Sequence, residues 1–372
     1  MNVEDMRGGY TTGSCATAGV KAGLLALIEE EIVDQVSIRN PQDAFIDVPI
    51  SKVEVLSPAE AMVTVVKDGG DDPDVTHGTD IVTTVTLNQS GAITYEAGFG
   101  VGIVTKPGLA LPVGETAINP GPRTMISYVF EELVPKGMGI HVKVSVPAGE
   151  TLARKTLNGT LGIEGGISII GTTGIVKPMS EEGFKNSLVP QLRVMKEAGY
   201  TTAILVPGRI GQEIAKEQLG ISINQMAETS NFIGFMLEQC VKIGFKNILI
   251  IGHIGKIIKL ASGSFHTHNR MSDGRMETIV AYAALEGASR EVCEELMDCR
   301  TTEAAMPIIE REHLEGIYQR VADRASLRSM RYIAQDAKVG IIISTLDGTI
   351  LAVDEVAKEI GEEESWHIPC MS

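Results

Sequence analysis

The hydrophobic pattern changes rhythm partway along the chain. In the N-terminal part, short runs of alternating or β-branched residues, each bounded by turn formers, predict strands at Val33–Ile38, Ala44–Val48, Lys52–Leu56, Ala61–Val66, Ile81–Leu87 and His141–Val146. Two helices are predicted among them. Cys15 to about Glu30 carries continuous helix formers behind an N-cap candidate, Ser14, and Thr124–Glu132 follows a Pro-Arg-Thr start. Many strands with two helices predict an α+β domain over residues 1–157.

Farther on, continuously apolar strand candidates alternate with helical stretches. The strands are Gly166–Ile170, Ala203–Pro207, Asn247–Ile251 and Val339–Ser344. The helices are Glu181–Ala198, Ile210–Gln218, Asn231–Ile243, Arg275–Leu285, Glu291–Met297 and Leu314–Ala334. This rhythm predicts an α/β domain over residues 158–372, a mostly parallel sheet with helices on both faces. Ligands of such sheets sit beyond the C-terminal strand ends. Three of those ends carry suggestive loops: Gly171-Thr-Thr-Gly174, Pro207-Gly-Arg209 and Gly252-His-Ile-Gly-Lys256.

Composition narrows the class. Aromatic residues are 4% of the chain against 44% hydrophobic, so the cores must be built from Ile, Val, Leu, Ala and Met. The 32 basic and 48 acidic side chains give a net charge of −16, which repels nucleic acid and anionic membranes at long range. Five cysteines (Cys15, Cys240, Cys293, Cys299, Cys370) include no Cys-x-x-Cys pair, which argues against a disulfide scaffold or structural zinc site. No run of 18 apolar residues occurs, and the chain opens on Asn2, Glu4, Asp5 and Arg7 rather than a signal peptide. A cytoplasmic protein is expected.

Candidate chemistry gathers in a few loops. Lys67-Asp-Gly-Gly-Asp-Asp-Pro-Asp-Val-Thr-His-Gly78 places four aspartates and a histidine between two strands, more than a turn requires. Its readings are a solvated acidic loop, a cation site, a carboxylate–histidine acid/base pair, or a clamp for a cationic cofactor. A calcium loop counted from Asp68 fails, because position twelve is Thr79 and Pro73 breaks the register. Thr11-Thr12-Gly13-Ser14 presents backbone N–H groups at a helix start, where either an anion or a tight strand-to-helix connection fits. Gly19, Ala22, Gly23 and Ala26 form a small-residue stripe along that helix, open to another backbone or a flat ligand. Ala97 to Arg123 is a glycine- and proline-rich loop whose Lys106, Asn119 and Arg123 stand out as polar. Gly171-Thr-Thr-Gly174 and Gly252–Lys256 lack the spacing of a dinucleotide fingerprint or a P-loop. His253, His266 and His268 have no cysteine or glutamate at zinc spacing, and no protein metal site is assigned.

Together these motifs resemble one family. Arg7-Gly-Gly-Tyr-Thr-Thr-Gly-Ser-Cys-Ala16, Asp68–Gly78, Gly100-Val-Gly-Ile-Val-Thr-Lys-Pro-Gly-Leu109, Ala117-Ile-Asn-Pro-Gly-Pro-Arg123, Gly171-Thr-Thr-Gly-Ile-Val176 and Gly252–Lys256 are similar, in order, to the CbiD family. The likeness extends to Thr267-His268 and Asp273-Gly-Arg-Met-Glu277; a family alanine is expected where Gly70 stands. That family comprises the cobalt-precorrin-5B C1-methyltransferases of anaerobic cobalamin biosynthesis. The resemblance implies S-adenosylmethionine as methyl donor, an anionic cobalt corrinoid as acceptor, and cobalt-precorrin-6A as product. It also implies a first domain similar to domain 2 of ribosomal protein S5.

Under that resemblance the residues acquire expected roles. Asp71, Asp72 and Gly171, Thr172, Thr173, Gly174 are expected to hold the donor. Thr11, Thr12, Lys106, Arg123, Lys256, His268 and Arg270 are expected to meet the acceptor, whose acetate and propionate groups call for local cations. His77 and His253 are the candidates for handling a proton. Cobalt is expected inside the substrate, without protein ligands. A kinase-like phosphotransferase, a non-catalytic tetrapyrrole carrier and a homo-oligomeric state stay open.

Overall fold

The computed structural model describes residues 6–369, so Asn2, Glu4, Asp5 and Cys370 lie outside the described residues. The chain divides into two compact units, Met1–Glu181 and Glu182–Ser372. No helix among the described residues is long and apolar enough to cross a membrane.

The first unit is built on a five-stranded sheet in the order Lys52–Ser57, Glu60–Val66, Asp80–Asn88, Gly139–Ser145, Ile93–Ala97. All neighbours are antiparallel except the last pair, which is parallel. The alternation read from the sequence is the alternation of the pleat. Ala61, Val63 and Val65 stand opposite Val85, Thr83 and Ile81, and all six are buried. The helix Thr12–Leu24, continued by a wider turn over Leu25–Glu29, lies on that face. A Cβ on Gly19 would come within 2.7 Å of the Thr83 hydroxyl, and one on Gly23 within 2.5 Å of Val85. The small-residue stripe is therefore filled by the sheet, not by a flat ligand. Thr83, though buried, donates to the Ala16 carbonyl at 3.4 Å.

Three boundaries differ from the sequence reading. The N-cap is Thr11, whose hydroxyl accepts from Ser14 N at 3.2 Å; Ser14 lies inside the helix. The second helix starts at Pro120, four residues early, because proline at the first helical position loses no backbone bond. The units divide at Glu181 rather than near Leu157. Residues 158–181 remain with the first unit through three ladders: Ile163–Glu164 on Ile103–Val104, Gly166–Ile167 on Gly100–Val101, and Ile175–Val176 on Gly9–Tyr10. Gly171-Thr-Thr-Gly174 thus belongs to the first unit and ends no strand of the second sheet.

The second unit carries a sheet ordered Met226–Glu228, Thr202–Val206, Asn247–His253, Lys338–Ser344, Ile350–Val353. The first four strands are parallel and the last is antiparallel. Numbered along the chain, the strands lie second, first, third, fourth, fifth. Ile204, Val206, Leu249, Ile251 and Ile342 face one side with Ile214, Ala215 and Ala357. The alternate residues Ala203, Leu205, Ile248, Ile250, Ile341 and Ile343 are equally buried, so both faces are covered. The two outer strands and the helices Ile254–Ser262, Thr302–Arg311 and Glu355–Glu364 were not predicted from the sequence.

The glycine stripe makes a packing prediction. Gly19→Val forces a branched side chain against Thr83 and should destabilise the first unit by about 1–3 kcal/mol. Thermal or urea unfolding of the variant should show the loss in one transition, with the transition of the second unit unmoved.

Candidate functional sites in the two units

In the first unit three motif stretches, Arg7–Ala16, Asp68–Gly78 and Gly171–Val176, are stitched together by short bonds. Lys67, 1% exposed, places its ammonium 2.8 Å from Asp74 Oδ2. Asp74 Oδ1 accepts from both Thr76 N and Thr76 Oγ1. Burial raises the Asp74 pKa, but the bonds from Lys67 and Thr76 more than offset it, and the carboxyl sits below its ordinary value. Arg7 clamps Asp68 through both guanidinium nitrogens, and this holds the Asp68 carboxyl down at about 2. His77 Nδ1 accepts from Gly69 N at 3.0 Å, so the ring proton of neutral His77 is on Nε2.

The remaining loops close on the same place. Asp71 and Arg7 exchange two bonds: Arg7 N donates to Asp71 Oδ2 at 2.7 Å, and Asp71 N to Arg7 O at 2.9 Å. Asp72 Oδ2 accepts from Met179 N at 2.9 Å. Both aspartates expected at the donor therefore have one carboxylate oxygen committed to fastening the loop. Gly70 has φ +67°, and a Cβ there would lie 2.1 Å from Arg7 O, so the glycine at this position is a steric requirement.

The helix start is a connection rather than an open anion site. Thr11 N donates to Gly174 O, Gly13 N to Ile170 O, and Ser14 Oγ to Gly174 O at 2.6 Å. Thr12 Oγ1 exchanges bonds with the backbone of Ile170. What sits above the helix N-terminus is the turn Gly171–Gly174, whose carbonyls supply the negative ends the helix start prefers. Two further carbonyls of that turn are taken as well: Thr173 O accepts from Asn40 and Thr172 O from Gln42. The sequence-expected donor turn and acceptor threonines thus satisfy one another. Burial pushes the neighbouring Cys15 thiol up to about 12, so it is no nucleophile at neutral pH.

Lys106 and Arg123 are not loose cations. Arg123 donates to Ile118 O at 2.8 Å, pairs with Glu115 at 2.8 Å and stacks 4.7 Å above the Tyr95 ring. The Lys106 stem packs on Gly162, and its ammonium lies 3.4 Å from Thr160 O.

In the second unit the third strand ends at His253, which caps the following helix by accepting from Gly255 N at 3.1 Å through Nδ1. Its Nε2 faces the Glu303 carboxylate. Burial lowers the His253 pKa, and Glu303 recovers only part of the loss. Lys256 reaches across to the Pro207 and Ser230 carbonyls, at 2.9 and 3.3 Å, and burial depresses its pKa. One turn on, Lys259 is 1% exposed and donates to Thr267 O at 2.9 Å and Asn269 Oδ1 at 2.7 Å. It anchors the loop that presents His268 and Arg270 to solvent. Lys259 escaped the sequence reading, although a lysine between Ile258 and Leu260 in an apolar helix was the available signal. Among the described residues, no three His, Cys, Asp or Glu side chains are grouped as metal ligands.

The His253 environment yields a titration prediction. The folded unit resists a proton that the unfolded chain takes up near the usual histidine value of about 6.5. Stability of the second unit should therefore fall as pH drops through that value, and level off only below the folded pKa. Glu303→Gln should lower the His253 pKa further; NMR titration of the ring checks it, and an upward shift would contradict the assignment.

Comparison with known proteins agrees with the motif order. Residues 1–178 match the family model described as CbiD, and residues 266–355 match CbiD, C-terminal domain. A protein of Moorella thermoacetica named cobalt-precorrin-5B C(1)-methyltransferase is 46% identical over 96% of this chain and 98% of its own length. One of the same name from Photorhabdus laumondii is 43% identical over 97% of this chain and 96% of its own length. A crystal structure of a cobalamin biosynthesis protein from Archaeoglobus fulgidus is similar at 26% identity and a TM-score of 0.38, covering 73% of this chain and 84% of that one. On near-complete alignment at this level of identity, the chain belongs to the CbiD family.

Proposed function

We propose that this chain is a methyltransferase that methylates C1 of cobalt-precorrin-5B, with S-adenosylmethionine as donor and cobalt-precorrin-6A as product. The observation that carries this is the 46% identity to a protein of that name over 96% of the chain. When bound, S-adenosylmethionine supplies an electrophilic methyl group on a sulfonium. The C–S bond breaks as the new C–C bond forms, and no protein nucleophile is required. The chain's own task is to hold two reactants in line and exclude water.

The acceptor carries several carboxylates, which a chain of net charge −16 can bind only through local cations. His268 and Arg270 suit that role, because they are exposed on a loop whose base Lys259 fixes. Lys106 and Arg123 serve by shaping the glycine-rich loop, with Arg123 held between Glu115 and Tyr95. His77 is the proton-handling candidate in the first unit, its Nδ1 taken by Gly69 and its Nε2 side exposed. A first unit similar to domain 2 of ribosomal protein S5, and a cytoplasmic setting, accompany this reading.

Methyl-labelled S-adenosylmethionine and the corrinoid should give one labelled methyl per acceptor. Tight corrinoid binding with no label transferred would instead indicate a carrier, and binding of ATP but not the donor a phosphotransferase. In the same assay, His77→Ala should lower kcat about a hundredfold at unchanged KM if it handles a proton. Asp72→Asn should act through loop order, raising KM with little change in kcat.

A further inference from the structure

The strand order of the second unit marks a place that the motif loops do not. In an open parallel sheet wound second, first, third, the connections after the first and third strands leave toward opposite faces, and a crevice opens between them. Here those strands are Thr202–Val206 and Asn247–His253, neighbours in the sheet. The turn after the first strand is Pro207-Gly-Arg-Ile-Gly211. A Cβ on Gly211 would lie 2.2 Å from Ile251 O, so glycine is needed for the turn to pack on the third strand. A Cβ on Gly208 would meet nothing within 4 Å, so that backbone faces open space.

The second strand ends on an acid. Glu228 is opposite Val206 in register and stands twenty residues after Gly208. A carboxylate about 20 residues past the glycine turn, at the end of the second strand, is where a βαβ nucleoside site hydrogen-bonds ribose hydroxyls. Its backbone is held on both sides by the buried Gln191, which accepts from Glu228 N at 2.9 Å and donates to Glu228 O at 3.3 Å. Its carboxylate accepts no hydrogen bond among the described residues, while the Lys256 ammonium, hung from Pro207 O and Ser230 O, supplies the nearby positive charge. Ser344, paired in register with His253, is fully buried, and its hydroxyl has no partner among the described residues.

We infer that this crevice is the adenosyl site of the second unit, with Glu228 accepting from the ribose hydroxyls of the methyl donor and Gly208 leaving room for the nucleoside. The assignment rests on the methyltransferase reading and adds which unit, and which residue, recognises the donor.

Calorimetry of the full chain with S-adenosylhomocysteine tests it. Glu228→Gln should weaken binding about tenfold or more, as loss of a charge-assisted bond does, with the melting temperature of the unliganded protein unchanged. The 2′-deoxy analogue should bind the unaltered protein more weakly by a similar factor and should lose little further on E228Q. Unchanged affinity in E228Q, or penalties that simply add, would overturn the assignment. So would a loss confined to Asp71→Asn and Asp72→Asn, which would put the donor in the first unit. If the unaltered protein binds neither S-adenosylhomocysteine nor S-adenosylmethionine, the methyltransferase reading itself fails.

Discussion

A lysine ammonium withdrawn from water has to meet a carboxylate, and Lys67 meets Asp74. Much of the first unit's loop architecture follows from that pairing. Breaking such a buried pair by removing one partner typically costs about 3–5 kcal/mol, so the acidic loop cannot drift from the strand that precedes it. With Asp74 committed inward, Asp68 is left to take Arg7, and the Asp68 carbonyl takes Tyr10 N. The chain thereby enters its first helix at a set angle, and the turn Gly171–Gly174 closes over the helix start. Aspartates that look surplus as a string of residues are each a tie to a different neighbour.

The second unit holds its buried cations differently. Lys256 and Lys259 donate to neutral oxygens, carbonyls and an amide, and burial depresses both pKa values. Without a carboxylate clamp these amines lock loops in place while retaining charge for what binds beside them. The acid at the end of the second strand is held by Gln191 through the backbone rather than through its own carboxylate.

Long, regular elements were legible in the sequence because their burial repeats with the pleat or the helix turn. Glu60–Val66 and Asp80–Asn88 read correctly for that reason, as did Asn247–His253 and Arg275–Leu285. Met226–Glu228 is three residues long, too short to show a period, so Glu228 gave no signal. Gly166–Ile170 misled because an apolar run beside glycines looks the same whether it enters a large sheet or a two-residue ladder. The family likeness was carried by loop motifs, whose spacing survives in the sequence even where their bonding partners cannot be read.

By itself, then, the sequence determined the change from a mainly β unit to an α/β unit, the apolar faces, the shortage of cations and the family. Those are properties of composition, period and local spacing. Tertiary structure alone decided that the glycine turn at 171–174 caps a helix 160 residues earlier in the chain, that the glycine stripe is filled by Thr83 and Val85, and that Asp71 and Asp72 are fasteners. It also decided the strand order that sets Glu228 opposite Val206 at the end of an outer strand. Each of these depends on which distant backbone groups meet, and a buried donor or acceptor chooses its partner by geometry that no local pattern encodes.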